Sequence, residues 1–137
     1  MPAEEVRAAI VVATYKQPGL LIEALDTALG QQTDFGYVIV VVNDGCPMPE
    51  THTVCQEFAL RFPRKVRYLR QSNKGLSGAR NAAIEFCLNT FADLEAVFFL
   101  DSDDRVYPHL LQRLFDALSA SEADVGWCPT SAPVRQI

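Results

Sequence analysis

Ala96-Val97-Phe98-Phe99-Leu100-Asp101-Ser102-Asp103-Asp104 is the stretch from which the rest of the chain can be read. Its five apolar residues, three of them β-branched or aromatic, predict a short strand buried on both faces. Three carboxylates follow within four positions. Carboxylates that close repel one another and are costly to bury unpaired, so they call for a counter-charge. A hard divalent cation with oxygen ligands meets that need. A solvated acidic loop leading into a helix from Pro108 is the simpler alternative.

Working outward, two more apolar runs end in turn-forming or polar residues. Arg7–Ala13 leads into Thr14-Tyr15-Lys16-Gln17-Pro18, and Tyr37–Val42 is stopped by Asn43-Asp44-Gly45. Between them Leu21, Ala24, Leu25, Ala28 and Leu29 recur on one helical face, with Pro18 in the first turn. A third unit places a helix over about residues 50–62, with Val54, Phe58, Ala59 and Phe62 inward, before a short strand at 66–69. The polar loop Asn73–Gly78 then opens a helix predicted over about 79–91. Ala79, Ala82, Ala83, Phe86 and Cys87 lie on its inner face. A helix over about 108–119 and a fifth strand at Asp124–Cys128 complete the pattern, and residues 129–137 read as a loose tail.

Strands alternating with helices predict an α/β three-layer sandwich around a mostly parallel sheet, with right-handed crossovers. Ligands of such open sheets sit beyond the carboxyl ends of the strands, where strand order reverses. Thr14-Tyr15, Asn43-Asp44, Ser72-Asn73-Lys74 and Asp101–Asp104 all lie just past a strand. With strand order 3-2-1-4, Tyr15 and the Asp cluster flank one crevice, with Asp44 beside them.

The 137 residues fit one domain, residues 1–137, with no internal repeat or linker. No apolar run approaches the roughly 18 residues of a membrane span, and the N-terminus lacks a secretory pattern. Cys46, Cys55, Cys87 and Cys128 form no C-x-x-C pair, so zinc is not expected. Cys55 and Cys87 fall on apolar helix faces as reduced core thiols, and a cytoplasmic location is expected. Net charge −5 argues against nucleic acid as a partner. Yet seven of the twelve basic residues lie between Arg61 and Arg80 with no Asp or Glu among them, which predicts a local anion site.

Four segments together resemble the nucleotide-binding half of inverting family 2 glycosyltransferases, which have the Rossmann-like GT-A fold. They are Ile10–Lys16, with its Thr-Tyr signature, Val40–Cys46 for the Asp-Asp-Gly-Ser turn, Asn73–Ala83 for the Asn-x-Gly-x-x-x-Ala-Arg-Asn block, and Leu100–Asp104 for the metal-binding Asp-x-Asp. Pro108 falls where the family usually has a proline. The resemblance covers about residues 8–128.

The resemblance implies a metal-dependent glycosyltransferase whose partners are a nucleotide-sugar donor, with UDP favoured, and an acceptor hydroxyl of unknown kind. Asp101, Asp103 and Asp104 would hold Mn2+ or Mg2+. Asp44 would accept a hydrogen bond from the base, Tyr15 would stack near it and Thr14 would lie beside it. Lys74 and Arg80 would serve the ribose–diphosphate region with Asp101. Structural alternatives stand beside these roles: Tyr15 capping a strand edge, Asp44 stabilising its turn, and Arg80 pairing with a carboxylate.

Three positions depart from the family pattern: Asn43 for the first Asp, Cys46 for Ser and Ala83 for the final Gly. The family's acceptor half, which carries the general base, lies C-terminal to the Asp-x-Asp strand. The chain therefore reads as a donor-binding domain, a fragment or a truncated product, that binds nucleotide and metal but turns over little, and no catalytic base is named. A non-catalytic nucleotide-binding or interaction module of the same fold is the alternative. Homo-oligomerisation through an open sheet edge near Val125–Cys128 is also expected.

Overall fold

A computed structural model describes residues 5–121. Eight elements alternate along the chain: β1 (Val6–Thr14), α1 (Pro18–Leu29), β2 (Gly36–Asp44), α2 (Pro49–Arg61), β3 (Val66–Gln71), α3 (Gly75–Thr90), β4 (Ala96–Phe99) and α4 (Leu110–Ala120). The strands form one sheet in the order β3-β2-β1-β4, with every pair parallel. This is the order under which the sequence placed Tyr15 and the Asp cluster on one crevice. It reverses between β1 and β4, so their carboxyl ends open the crevice where ligands bind in such sheets. The predicted strand at Asp124–Cys128, the tail 129–137 and Cys128 lie outside the described residues.

The apolar runs became central strands because both sheet faces are covered. All nine residues of β2 are buried. Ala8, Ile10, Val12, Ile39 and Val41 point to the side of α1, α2 and α4, packing with Leu21, Leu25, Phe58, Leu111 and Phe115. Ala9, Val11, Val38, Val40 and Val42 point to the other side, against Ala79, Ala83 and Cys87 of α3. Spacing of four places these three small residues on one face of α3, which lets the helix lie close to the sheet. Cys55 and Cys87 are buried free thiols, as expected.

Two expectations are corrected. The β4 strand is not buried on both faces: its residues are half-buried and Phe99 is 47% exposed. Among the described residues β4 has β1 as its one neighbour. Also, α3 begins at Gly75, not near Ala79, so most of the predicted loop is its first turn. The cause is nonlocal. The Asp44 carboxylate accepts the backbone N–H groups of Lys74 (2.8 Å) and Gly75 (2.9 Å). Donors that a helix start leaves unsatisfied are thereby satisfied from another strand.

The chain leaving the Asp cluster is tied to the end of α1. Gln31 Nε2 donates to the Tyr107 carbonyl (2.8 Å), and Gln31 Oε1 accepts the Leu111 N–H (2.9 Å). The Val106 N–H donates to Thr27 Oγ1 (3.2 Å), and the Gln32 N–H to the Pro108 carbonyl (2.7 Å). These bonds hold the acidic turn on a fixed frame. No helix among the described residues is long and apolar enough to cross a membrane.

Candidate functional site

Thr14, Tyr15, Asp44, Lys74 and the three aspartates of residues 101–104 all end or follow strands at the carboxyl edge of the sheet, and Arg80 lies on α3 beside Asp101. Thr14 ends β1 and is 1% exposed, and its Oγ1 is buried without a hydrogen-bond partner. Such an orphan is costly, and in a crevice it points to a missing polar partner. Tyr15 follows, half-exposed, and Lys16 Nζ lies 5.3 Å from its ring centroid.

Lys16 and Gln17 both adopt left-handed backbone, with φ of 63° and 61°. Neither is glycine, so each carries a strain of about 1 kcal/mol. The segment is held by the Lys16 N–H, which donates to Cys46 Sγ at 3.0 Å, and Cys46 also meets Thr51 Oγ1 at 3.2 Å. Nothing in the identities of Lys16 and Gln17 announces a left-handed pair, so sequence reasoning had no signal for it.

Asp44 ends β2, and 4% of it is exposed. Its Oδ1 accepts Gln71 Nε2 (2.9 Å) and the Lys74 N–H, and its Oδ2 accepts the Gly75 N–H. Gln71 was not anticipated, although it pairs directly with Asp44 in the β2–β3 register. A carboxylate has about four lone-pair positions. Three are used, which leaves one on Oδ2. Asn43 is also spoken for, donating to the Tyr68 hydroxyl (3.1 Å) and accepting the Cys46 N–H (3.0 Å). His52 Nδ1 meets the same hydroxyl at 2.8 Å.

Past β4, one ligand atom each of Asp101, Asp103 and Asp104 lie within 4.8 Å of one another. The first two are exposed and the third half-buried. An all-oxygen set that small suits a hard divalent ion of the Mg2+ or Mn2+ kind. Arg80 Nη2 lies 3.3 Å from Asp101 Oδ1, and its guanidinium carbon is 4.7 Å from the Phe99 ring centroid.

The structure thus joins Asp44 to the backbone of Lys74, and Arg80 to the acidic turn. It does not gather the seven basic residues into one patch. Arg61, Arg64 and Lys65 precede β3, and Lys65 Nζ donates to the carbonyl of Tyr37 near the start of β2 (2.9 Å). Only Arg70, Lys74 and Arg80 come after the strand has crossed to the ligand end. A parallel strand separates what is contiguous in sequence.

Cys46 gives this edge a chemical handle. Burial is the largest single influence on its thiol and raises the pKa. Hydrogen bonds from Thr51 and the Met48 and Lys16 backbones, with the Lys16 charge, together bring it below the usual 9.0. Burial pushes Cys55 up to about 12 and Cys87 to about 11. Thiolate is the reactive form. Brief iodoacetamide treatment at pH 8, followed by peptide mapping, is expected to label Cys46 well before Cys55 and Cys87. Equal labelling of the three would contradict this geometry.

The family model described as "Glycosyl transferase family 2" matches residues 9–132. Among curated relatives, the uncharacterized glycosyltransferase EpsJ of Bacillus subtilis (strain 168) is 32% identical over 87% of this chain and 32% of its own length. The succinoglycan biosynthesis protein ExoW of Rhizobium meliloti (strain 1021) is 31% identical over 86% of this chain and 36% of its own length. The chain therefore spans about a third of the length of these relatives.

Among solved structures, S. aureus TarS in complex with UDP superposes with a TM-score of 0.69 at 20% identity. That match covers 92% of this chain and 39% of the other. The mannosyltransferase PcManGT from Pyrobaculum calidifontis, in complex with GDP-Man and Mn2+, gives 0.59 at 22% identity over 74% and 29%.

Proposed function

Because the chain belongs to glycosyl transferase family 2, we propose that residues 1–137 are the donor-binding domain of an inverting transferase, taking a UDP-sugar and a divalent cation at the carboxyl edge of the sheet. The observation that carries this reading is the Asp101–Asp103–Asp104 turn, set beside Arg80 at the mouth of the β1–β4 crevice. Structures of similar fold bind UDP, or GDP-Man with Mn2+, which supports a nucleotide-sugar as the ligand class.

The residues divide the work by their chemistry. Tyr15 offers an exposed ring for a base to stack on, and the buried Thr14 hydroxyl offers an unused hydrogen bond beside it. Asp44 Oδ2 keeps one acceptor position. Uracil presents a single imide N–H, whereas guanine presents an N–H and an amino group together and would want two acceptors. One free position therefore favours UDP. Lys74 and Arg80 provide cationic donors for the diphosphate.

Asp101, Asp103 and Asp104 would hold the divalent cation, which when bound would supply charge neutralisation for the departing nucleoside diphosphate. Transfer with inversion is one in-line displacement, in which an acceptor hydroxyl gives up its proton to a base as it attacks the sugar. None of the described residues is assigned as that base.

Calorimetric titration with UDP, GDP and dTDP, with and without Mn2+, tests the reading. UDP in Mn2+ is expected to bind about 5- to 150-fold tighter than GDP, since a buried polar group left unmatched costs about 1–3 kcal/mol. Absence of binding by any nucleotide would overturn the proposal, and equal binding of UDP and GDP would overturn its base preference.

A further inference from the structure

Arg80 stands in an unusual position for a residue expected to meet an anion. Its Nη2 is 3.3 Å from Asp101 Oδ1, one of the three carboxylates that would hold the cation. The other side of the guanidinium is covered, with its carbon 4.7 Å from the Phe99 ring centroid. Arg80 lies on α3 and Phe99 at the end of β4, so the contact ties the helix to that strand just before the acidic turn. Arg80 thus already supplies part of the counter-charge that three close carboxylates require.

We infer that Arg80 is a built-in counter-ion of the acidic turn, which an incoming divalent cation must displace from Asp101, and that this exchange couples cation binding to diphosphate binding. The inference rests on the reading of the Asp turn as a cation site.

The physical basis is competition for one carboxylate. A guanidinium beside Asp101 occupies lone-pair directions that a hard cation needs, and its charge repels that cation across a few ångströms. Once displaced, the guanidinium does not leave the site, because the Phe99 face still holds it there. Its donors are then free for a second anion. The cation therefore prepares the anion site, and by linkage the diphosphate favours the cation-bound arrangement equally. Phe99 acts here as a positioning residue, which accounts for a large aromatic left half-exposed at the end of β4.

The test reads the cation alone, without nucleotide or turnover. Mn2+ is titrated into the full chain and into Arg80→Gln and Arg80→Lys, and free Mn2+ is followed by its electron paramagnetic resonance signal. Gln and Lys both suit a helix, and Lys keeps the charge but not the planar stacking group. Arg80→Gln is expected to bind Mn2+ about three- to tenfold tighter than the parent chain, in keeping with the modest strength of a partly exposed ion pair. Arg80→Lys should stay within about twofold of the parent.

With UDP present as well, the gain in UDP affinity produced by Mn2+ should shrink in Arg80→Gln. Equal or weaker Mn2+ binding by Arg80→Gln would overturn the inference. So would tighter binding that Arg80→Lys shares in full, since charge would then not be the cause. If none of the three proteins takes up Mn2+, the cation reading of the acidic turn fails and the inference falls with it.

Discussion

Replacing Asp103 with Ala is expected to abolish the effect of Mn2+ on UDP affinity while leaving the melting temperature within about 2 °C of the parent. Asp103 is the most informative of the three carboxylates because it is exposed and makes no hydrogen bond or ion pair among the described residues. Asp101 pairs with Arg80, so substituting it would break that ion pair as well. A surface substitution without such ties stays within about 0.5 kcal/mol of the parent.

Loss of one of three charged oxygen ligands should cost the cation about 100-fold or more, given that outer-shell partners alone are worth about 10- to 100-fold. Calorimetry with UDP in Mn2+ and in EDTA should therefore give two different affinities for the parent and one for the variant. A variant that keeps the metal-dependent gain would place the cation elsewhere.

The second large effect concerns the fold beneath the site. Gly45→Ala is expected to destabilise the chain by about 2–4 kcal/mol. Two costs combine. Gly45 has φ +68°, a backbone that L side chains rarely adopt. A Cβ there would also stand 2.5 Å from the Asn73 backbone nitrogen and 3.1 Å from its Cα. That backbone cannot easily retreat. It belongs to the β3–α3 connection, where Asp44 fixes Lys74 and Gly75, and the Asn73 side chain donates to the Asp44 carbonyl at 3.2 Å.

Gly75→Ala is the control. Its φ is +79°, but nothing lies within 4 Å of the added carbon, so only the conformational cost of about 1 kcal/mol applies. Thermal unfolding should show Gly45→Ala melting lower by roughly 10 °C and Gly75→Ala by about 3–5 °C. Equal shifts in the two variants would mean that the close approach to Asn73 relaxes and does not shape the site.

What the sequence determined by itself was the frame and the placing of its polar residues. Arg7–Ala13 and Tyr37–Val42 are continuous apolar runs, and a strand reads that way only when both its faces are covered, which implies a parallel sheet with helices on each side. Each run ends in residues that cannot continue a strand, so Thr14, Asp44 and Asp101 had to lie at carboxyl ends, and one topology brings those ends together. These are short-range properties, carried by periodicity and by the backbone preferences of neighbouring residues.

Only the tertiary structure decided what depends on partners distant in sequence. The start of α3 moved to Gly75 because a carboxylate 30 positions away takes the Lys74 N–H. The β4 strand proved half-exposed because burial depends on what lies across the sheet, not on how apolar the strand is. The run of basic residues came apart because β3 carries its two ends to opposite edges of the sheet. Lys16 and Gln17 took left-handed backbone that their identities do not announce, with the Lys16 N–H bonded to Cys46. Arg80 found Asp101 through the placing of α3 beside β4. In each case the deciding interaction joins residues far apart in the chain, and a hydrogen bond or ion pair between them leaves no periodic trace in either segment.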